Sequence, residues 1–260
     1  MTTTRILRCG EAALLLECAD LAGAVALARR VEQLRPAALD VVAAARTVLV
    51  TTRDSAALPE LRRRLEALLA ERPPRPGDPG DAAAGAGAGS EAAGREVTID
   101  VRYDGPDLAD VAELAGLSPQ ALVRQHTSIT WLAAFGGFAP GFFYLVDERE
   151  LRGAGSDDPA TYSGAGAEGT AAGDSPAEPP SPVPPSPGPL PTVPRLASPR
   201  ERVPAGSVGL ADRFCAVYPG ASPGGWRLLG TTDSVLWDSG RSAPALLAPG
   251  MRVRFRDAAS

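Results

Sequence analysis

Gly136-Gly137-Phe138-Ala139-Pro140-Gly141-Phe142-Phe143-Tyr144-Leu145 carries the turn chemistry on which the second half of the chain is built. It recurs as Pro204-Ala205-Gly206-Ser207-Val208-Gly209 and as Ser222-Pro223-Gly224-Gly225-Trp226. Glycine reaches positive φ and lets a backbone or a ligand come close, proline holds φ near about −65°, and the aromatics supply large rigid faces. Two readings follow. The tracts are tight β-turns packed by core aromatics, or they line one pocket walled by backbone and aromatic rings.

Around these turns, short apolar runs recur every ten residues or so: Val208–Ala211, Phe214–Tyr218, Trp226–Gly230, Val235–Trp237 and Met251–Phe255. Such spacing predicts a β-barrel or sandwich. Upstream, Val97–Val101 alternates as a strand, Pro106-Asp107 opens a helix that Gly116 closes, and Ser118-Pro119 opens a second one carrying His126.

The first 70 residues follow a different pattern. Arg5–Leu7 and Ala13–Leu16 read as a strand pair, Asp20 caps a helix that Pro36 stops, and Leu39–Ala43 and Thr47–Thr51 read as two more strands. Leu58, Leu61, Leu65 and Leu68 then recur at helical spacing. Two helices on one face of a four-stranded sheet satisfy that pattern. Residues 72–95, rich in Pro, Ala and Gly, bury too little apolar surface to offset their ordering entropy and are expected to be a disordered linker between domains at 1–71 and 96–260. A second low-complexity stretch, 153–189, is expected to be a disordered insertion in the second domain. It contains Gly164-Ala165-Gly166-Ala167-Glu168-Gly169, a formal GxGxxG that lacks the strand before it and the helix after it, and so is no dinucleotide fingerprint.

Composition narrows the chemistry. The 260 residues contain 26 basic side chains, all arginine, which excludes P-loop, Schiff-base and nucleophilic lysine mechanisms. Five acids in 153–189 account for the net charge of −5, so no basic footprint for nucleic acid is present. Cys9, Cys18 and Cys215 lack metal or disulfide-framework spacing. The N-terminus has no signal-peptide core and no run approaches the roughly 20 apolar residues of a membrane span, so a cytoplasmic protein without a membrane partner is expected. With a single histidine and scattered carboxylates, no metal site is expected, and Ala205–Gly209 lacks the strand-to-helix context of a serine nucleophile elbow.

The remaining candidates are few. His126 is either a helix-terminal histidine bonding the last carbonyls or a catalytic acid, a base or a ligand-orienting donor at a pocket rim. Arg195 and Arg200, held between prolines, suit a carboxylate or phosphate, or bond carbonyls of the neighbouring turns. Phe138, Pro140, Gly141, Phe142, Tyr144, Pro204, Gly206, Ser207, Gly224, Gly225 and Trp226 are the candidate substrate-binding residues of the three tracts.

Gly137–Leu145, Pro194-Arg195-Leu196, Pro199-Arg200, Val203–Gly209, Tyr218-Pro219, Ser222–Trp226 and Pro249-Gly250 occur in the order seen in one family. The chain resembles the 5-oxoprolinase B subunits, a family also known as allophanate hydrolase subunit 1 and including a sporulation-kinase inhibitor. It departs from that pattern at Gly10-Glu11, Gly230-Thr231-Thr232 and Pro249-Gly250-Met251, where the family carries Gly-Asp, Gly-Arg-Thr and Pro-Gly-Asp. The resemblance implies an α+β N-terminal ferredoxin-like domain plus a C-terminal cyclophilin-like β-barrel. It also implies a complex with the A and C subunits that uses ATP, with Mg2+, to open 5-oxo-L-proline to L-glutamate, the present chain being inactive alone. Its alternatives are an allophanate hydrolase or urea-carboxylase-type carboxyltransferase component, and a regulator that inhibits a histidine kinase.

Overall fold

Residues 4–35, 37–71, 94–153 and 189–259 are described by the computed structural model. Apart from their end residues, the expected linker and insertion lie outside the described residues, as does Pro36.

In the first unit, strands β1 (Arg5–Arg8) and β2 (Ala13–Glu17) form a hairpin, followed by helix α1 (Leu21–Val31), β3 (Asp40–Ala43), β4 (Thr47–Thr51) and α2 (Leu58–Ala70). The side chain of Asp20 accepts from Gly23 N at 2.7 Å and fixes the start of α1. On α2, Leu58, Leu61, Leu65 and Leu68 are all buried, against Leu14, Leu16, Val48 and Val50 of the sheet and Leu27 and Val31 of α1. Each such side chain contributes about 1.5–3 kcal/mol by leaving water. Arg30 Nη2 donates to Leu68 O and ties the C-terminal ends of the two helices together.

The sheet order is β1-β2-β4-β3, antiparallel throughout. A ferredoxin-like unit runs βαββαβ; the described chain runs ββαββα. The elements β2, α1 and β3, with β4 between the two strands, make a split βαβ arrangement, and the edge beside β2 is filled by the N-terminal β1.

The second unit comprises β5 (Glu96–Val101), α3 (Leu108–Leu114), α4 (Pro119–Ser128), β6 (Trp131–Gly136), β7 (Phe143–Asp147), α5 (Glu148–Gly153), β8 (Arg200–Val203), β9 (Ser207–Ala211), β10 (Phe214–Val217), β11 (Ser222–Gly224), β12 (Arg227–Thr231) and β13 (Arg252–Asp257). Seven strands form one sheet in the order β12-β9-β10-β7-β6-β13-β5, with only β13 and β5 parallel among the described pairs. The two ends of the sheet come within one bridge of closure: Arg102 and Thr231 exchange both backbone hydrogen bonds at 2.8 Å. This is a nearly closed barrel, filled by Ile99, Leu122, Trp131, Leu145, Leu229 and Phe255 among others.

Two local expectations change. Val235–Trp237 is not a strand: its backbone makes a single bridge, Trp237 to Ala245, and only Leu236 is buried. Ser222–Gly224, expected as a turn, pairs with Arg200–Val203 as a two-stranded flap. Pro223 is exposed in it, a position where a missing N–H costs little. The two units meet through a further apolar cluster, in which Leu21 and Val25 of α1 pack on Leu132, Ala134, Phe135 and Val146 of β6 and β7.

At the seam of the barrel, a Cβ on Gly230 would run into the backbone carbonyl of Arg102. Gly230→Ala is therefore expected to destabilise the protein by about 1–3 kcal/mol, the usual cost of overpacking, read as a lower urea midpoint at unchanged m-value.

Candidate functional site

The tract Gly137–Phe142 is the turn between β6 and β7. Gly137 N donates to Phe142 O at 2.8 Å and Phe142 N to Ala139 O at 2.9 Å. Gly141 sits at φ +79°, and a Cβ there would lie 2.9 Å from Trp237 Cβ, so both its conformation and its surroundings demand glycine. The turn drives Phe142 inward, where it is 1% exposed. Its ring meets Tyr218 edge-on at 5.4 Å and Trp226 at 5.6 Å, while Tyr144 packs beside it at 5.5 Å. Perpendicular pairs of this kind stabilise by about 0.5–1.5 kcal/mol beyond their buried area. Tyr144, half-buried, also stacks on Phe135 at 4.6 Å. Phe138 leans on Phe142 at 4.9 Å and is 66% exposed.

The Ser222–Trp226 tract reaches the same cluster through Trp226, and the guanidinium of Arg195 stands 5.8 Å from the centre of that indole. Leu196 N donates to Gly225 O at 2.8 Å and holds the Arg195 segment there. Gly224 lies against the Tyr218 hydroxyl. Burial raises the pKa of that phenol above its ordinary value, with the charge of Arg195 opposing. The third tract borders the cluster from behind: Gly206 N donates to Tyr218 O at 2.8 Å, Ser207 is buried at the start of β9, and Pro204 is exposed. Phe142, Trp226 and Tyr218 thus draw the tracts together as a packed aromatic cluster. Phe138, Pro140, Tyr144 and Arg195 form its accessible side. That side offers flat apolar faces and one cation, which suits a small planar group or ring with an anionic edge.

Arg200 has a different part. Its Nη1 donates to Trp226 O at 3.3 Å and its Nη2 to Asp107 Oδ1 at 2.7 Å. Asp107 is 5% exposed, and its other oxygen accepts from Leu228 N at 2.6 Å. Arg200 therefore reaches the aromatic cluster with two of its donors engaged by protein groups. Sequence marks Asp107 only as the opening of a helix; nothing local to Pro106-Asp107 announces a partner 93 residues away.

His126 lies apart from the tracts. It is 0% exposed, inside the barrel between Trp131 and Phe255, with ring centroids at 5.2 and 4.7 Å. Its neutral ring donates from one nitrogen and accepts at the other: Nδ1 is 2.8 Å from Tyr103 Oη and Nε2 is 3.4 Å from Cys215 Sγ. Burial holds its pKa down to about 3 and pushes the Tyr103 and Cys215 groups up. The expected rim position is not where the chain puts it, because α4 packs its apolar face, with Leu122 and His126, onto the barrel. The helix-end alternative also fails to describe its side chain, which bonds Tyr103 and Cys215 rather than the last carbonyls.

Set against known proteins, this geometry has a clear relation. A family model described as carboxyltransferase domain, subdomain C and D, matches residues 4–172 and 186–247. The chain belongs to this family. Among curated relatives it is 37% identical over 164 residues to the 5-oxoprolinase B subunit of Escherichia coli O157:H7, covering 62% of this chain and 57% of that protein. It is 33% identical to the protein of the same name from Bacillus subtilis (strain 168), covering 62% of this chain and 52% of the relative. The chain thus spans little more than half the length of these relatives. Among solved structures, TTHA0988 superposes with a TM-score of 0.62 at 29% identity, covering 95% of this chain and 40% of that one. The Kluyveromyces lactis urea carboxylase shares the fold, with a TM-score of 0.58 at 14% identity over 98% of this chain and 22% of its own. Among the described residues of this family member, no helix is long and apolar enough to cross a membrane.

Two outcomes test these assignments. Arg200→Ala is expected to cost about 3 kcal/mol in chemical denaturation, because it leaves the buried Asp107 carboxylate without its counter-charge; in a double-mutant cycle the further loss of Asp107 should add far less than its cost alone. For His126, the folded pKa is depressed and the unfolded imidazole titrates near 6.5. The unfolded state binds the extra proton between those values, so this contribution is complete above about pH 6.5 and declines as pH falls toward about 3, at up to roughly 1.4 kcal/mol per pH unit. His126→Leu should lower stability at pH 7 and flatten the stability difference between pH 7 and pH 5.

Proposed function

We propose that this chain is the B subunit of an ATP-dependent 5-oxoprolinase, working with the A and C subunits in the cytoplasm to convert 5-oxo-L-proline to L-glutamate with ATP hydrolysis. The observation that carries the reading is its identity of 31–37% to three proteins that bear the name of the 5-oxoprolinase B subunit. The finer fold names, ferredoxin-like and cyclophilin-like, belong to the same reading. An unstrained lactam is a poor electrophile, and phosphorylating its oxygen creates a leaving group, which gives ATP its place as co-substrate. Among the described residues no group of three or more His, Cys, Asp or Glu converges to hold a metal ion. In this reading magnesium enters with the nucleotide. His126, enclosed and neutral, serves the fold in this scheme, and the accessible aromatic face with Arg195 is the part of the three tracts left to meet substrate or partner.

A second reading, an allophanate hydrolase or urea-carboxylase-type carboxyltransferase component, draws on the carboxyltransferase description of the matching family model. One assay separates the two. With the A and C subunits supplied, 5-oxoproline and ATP are expected to yield glutamate and ADP at least tenfold faster with this chain than without it. Equal rates, or turnover of allophanate alone, would overturn the first reading.

A further inference from the structure

A cleft of about 310 Å³ lies where α1 of the first unit faces the barrel. That volume is at the lower end of the range for small-molecule sites, roughly 300–1,000 Å³. One wall is a face of α1 in which Ala22, Ala26 and Arg29 follow one another at helical spacing, with Val25 beside them. Small side chains there keep the cleft open, and Arg29 stands at its end. Among the described residues Arg29 makes no hydrogen bond or ion pair. The opposite wall carries Arg252 of β13, whose Nε and Nη2 donate to Glu148 Oε1 at 3.0 and 2.8 Å.

The charges of the lining give the ligand its class. Arg29 and Arg252 against Glu148 leave one net positive charge, and Arg29 presents a planar fork shaped for two oxygens. The alanine and valine wall requires an apolar body. A phosphate dianion would overcompensate the charge and bring nothing to set against that wall. We infer that the cleft between α1 and the barrel binds a small aliphatic monocarboxylate, with its carboxylate on Arg29 and its hydrocarbon part along Ala22, Val25 and Ala26. 5-Oxo-L-proline, a five-membered lactam bearing one carboxylate and two ring methylenes, is the probe; choosing it rests on the functional reading above, whereas the cleft itself does not.

The test uses the full chain, titrated with 5-oxo-L-proline and, separately, with inorganic phosphate, followed by calorimetry and by NMR. Saturable binding of 5-oxo-L-proline is expected, weakened at least tenfold by Arg29→Gln, which removes charge-assisted hydrogen bonds, and by Ala26→Phe, which fills the space. Both positions are exposed on α1, and unchanged denaturation midpoints would show that the fold survives. The inference falls if the wild-type chain shows no saturation, if both variants bind as the wild type does, or if phosphate competes as well as the carboxylate. Cleft binding in a chain that supports no glutamate release upholds the site and removes only the functional reading. Glutamate release supported by a wild-type chain that shows no cleft binding removes the site and leaves the function.

Discussion

The buried carboxylate of Asp107 is the constraint on which the second unit depends. It begins α3, its backbone carbonyl accepts from Val111 N, and its backbone N–H donates to Leu228 O at 3.1 Å. Its side chain accepts from Leu228 N and from Arg200. A carboxylate taken out of water is costly unless all of its oxygens are used, so helix, strand and flap must arrive together or the charge is stranded. Through Arg200 the same anchor reaches the carbonyl of Trp226, and with it the aromatic cluster.

That chain of contacts explains why the three glycine- and proline-rich tracts converge. Turns supply direction, but the rings decide the distance: Phe142 cannot sit perpendicular to both Tyr218 and Trp226 unless the β6–β7 turn and the β11–β12 connection approach one another. Both readings of the tracts therefore describe part of the same object. Phe142 and Tyr218 are core, while Phe138 and Arg195 are surface, and the boundary between packing and recognition runs through a single hairpin turn.

The two units are joined differently. Leu21 and Val25 of α1 bury themselves against β6 and β7, and Val25 also borders the charged cleft. Adhesive and open positions thus alternate along one helix, since alanine at positions 22 and 26 fills less space than leucine would. A seam built this way places ionisable groups from both units around one volume, an arrangement that neither unit could make alone.

Much of this architecture is legible in the chain itself. Periodicity locates both helices of the first unit, because Leu58, Leu61, Leu65 and Leu68 can share a face only as a helix, and regular turn chemistry locates most barrel strands, because positive φ and fixed φ are written into glycine and proline. Local patterns fail where the deciding partner is distant in sequence. Val235–Trp237 has the alternation of a strand but finds one bridging residue, and Ser222–Gly224 has turn composition but finds β8. His126 and Arg200 are the sharpest candidates for chemistry by residue type, and tertiary packing gives them other work, one enclosed with Tyr103 and Cys215, the other paired with Asp107. Sequence by itself determined most of the elements and the family, since these follow from the backbone preferences of neighbouring residues and from motif order. Only the tertiary structure decided which polar side chains face solvent, because burial and charge pairing depend on contacts between residues as far apart as Asp107 and Arg200, which no local pattern records.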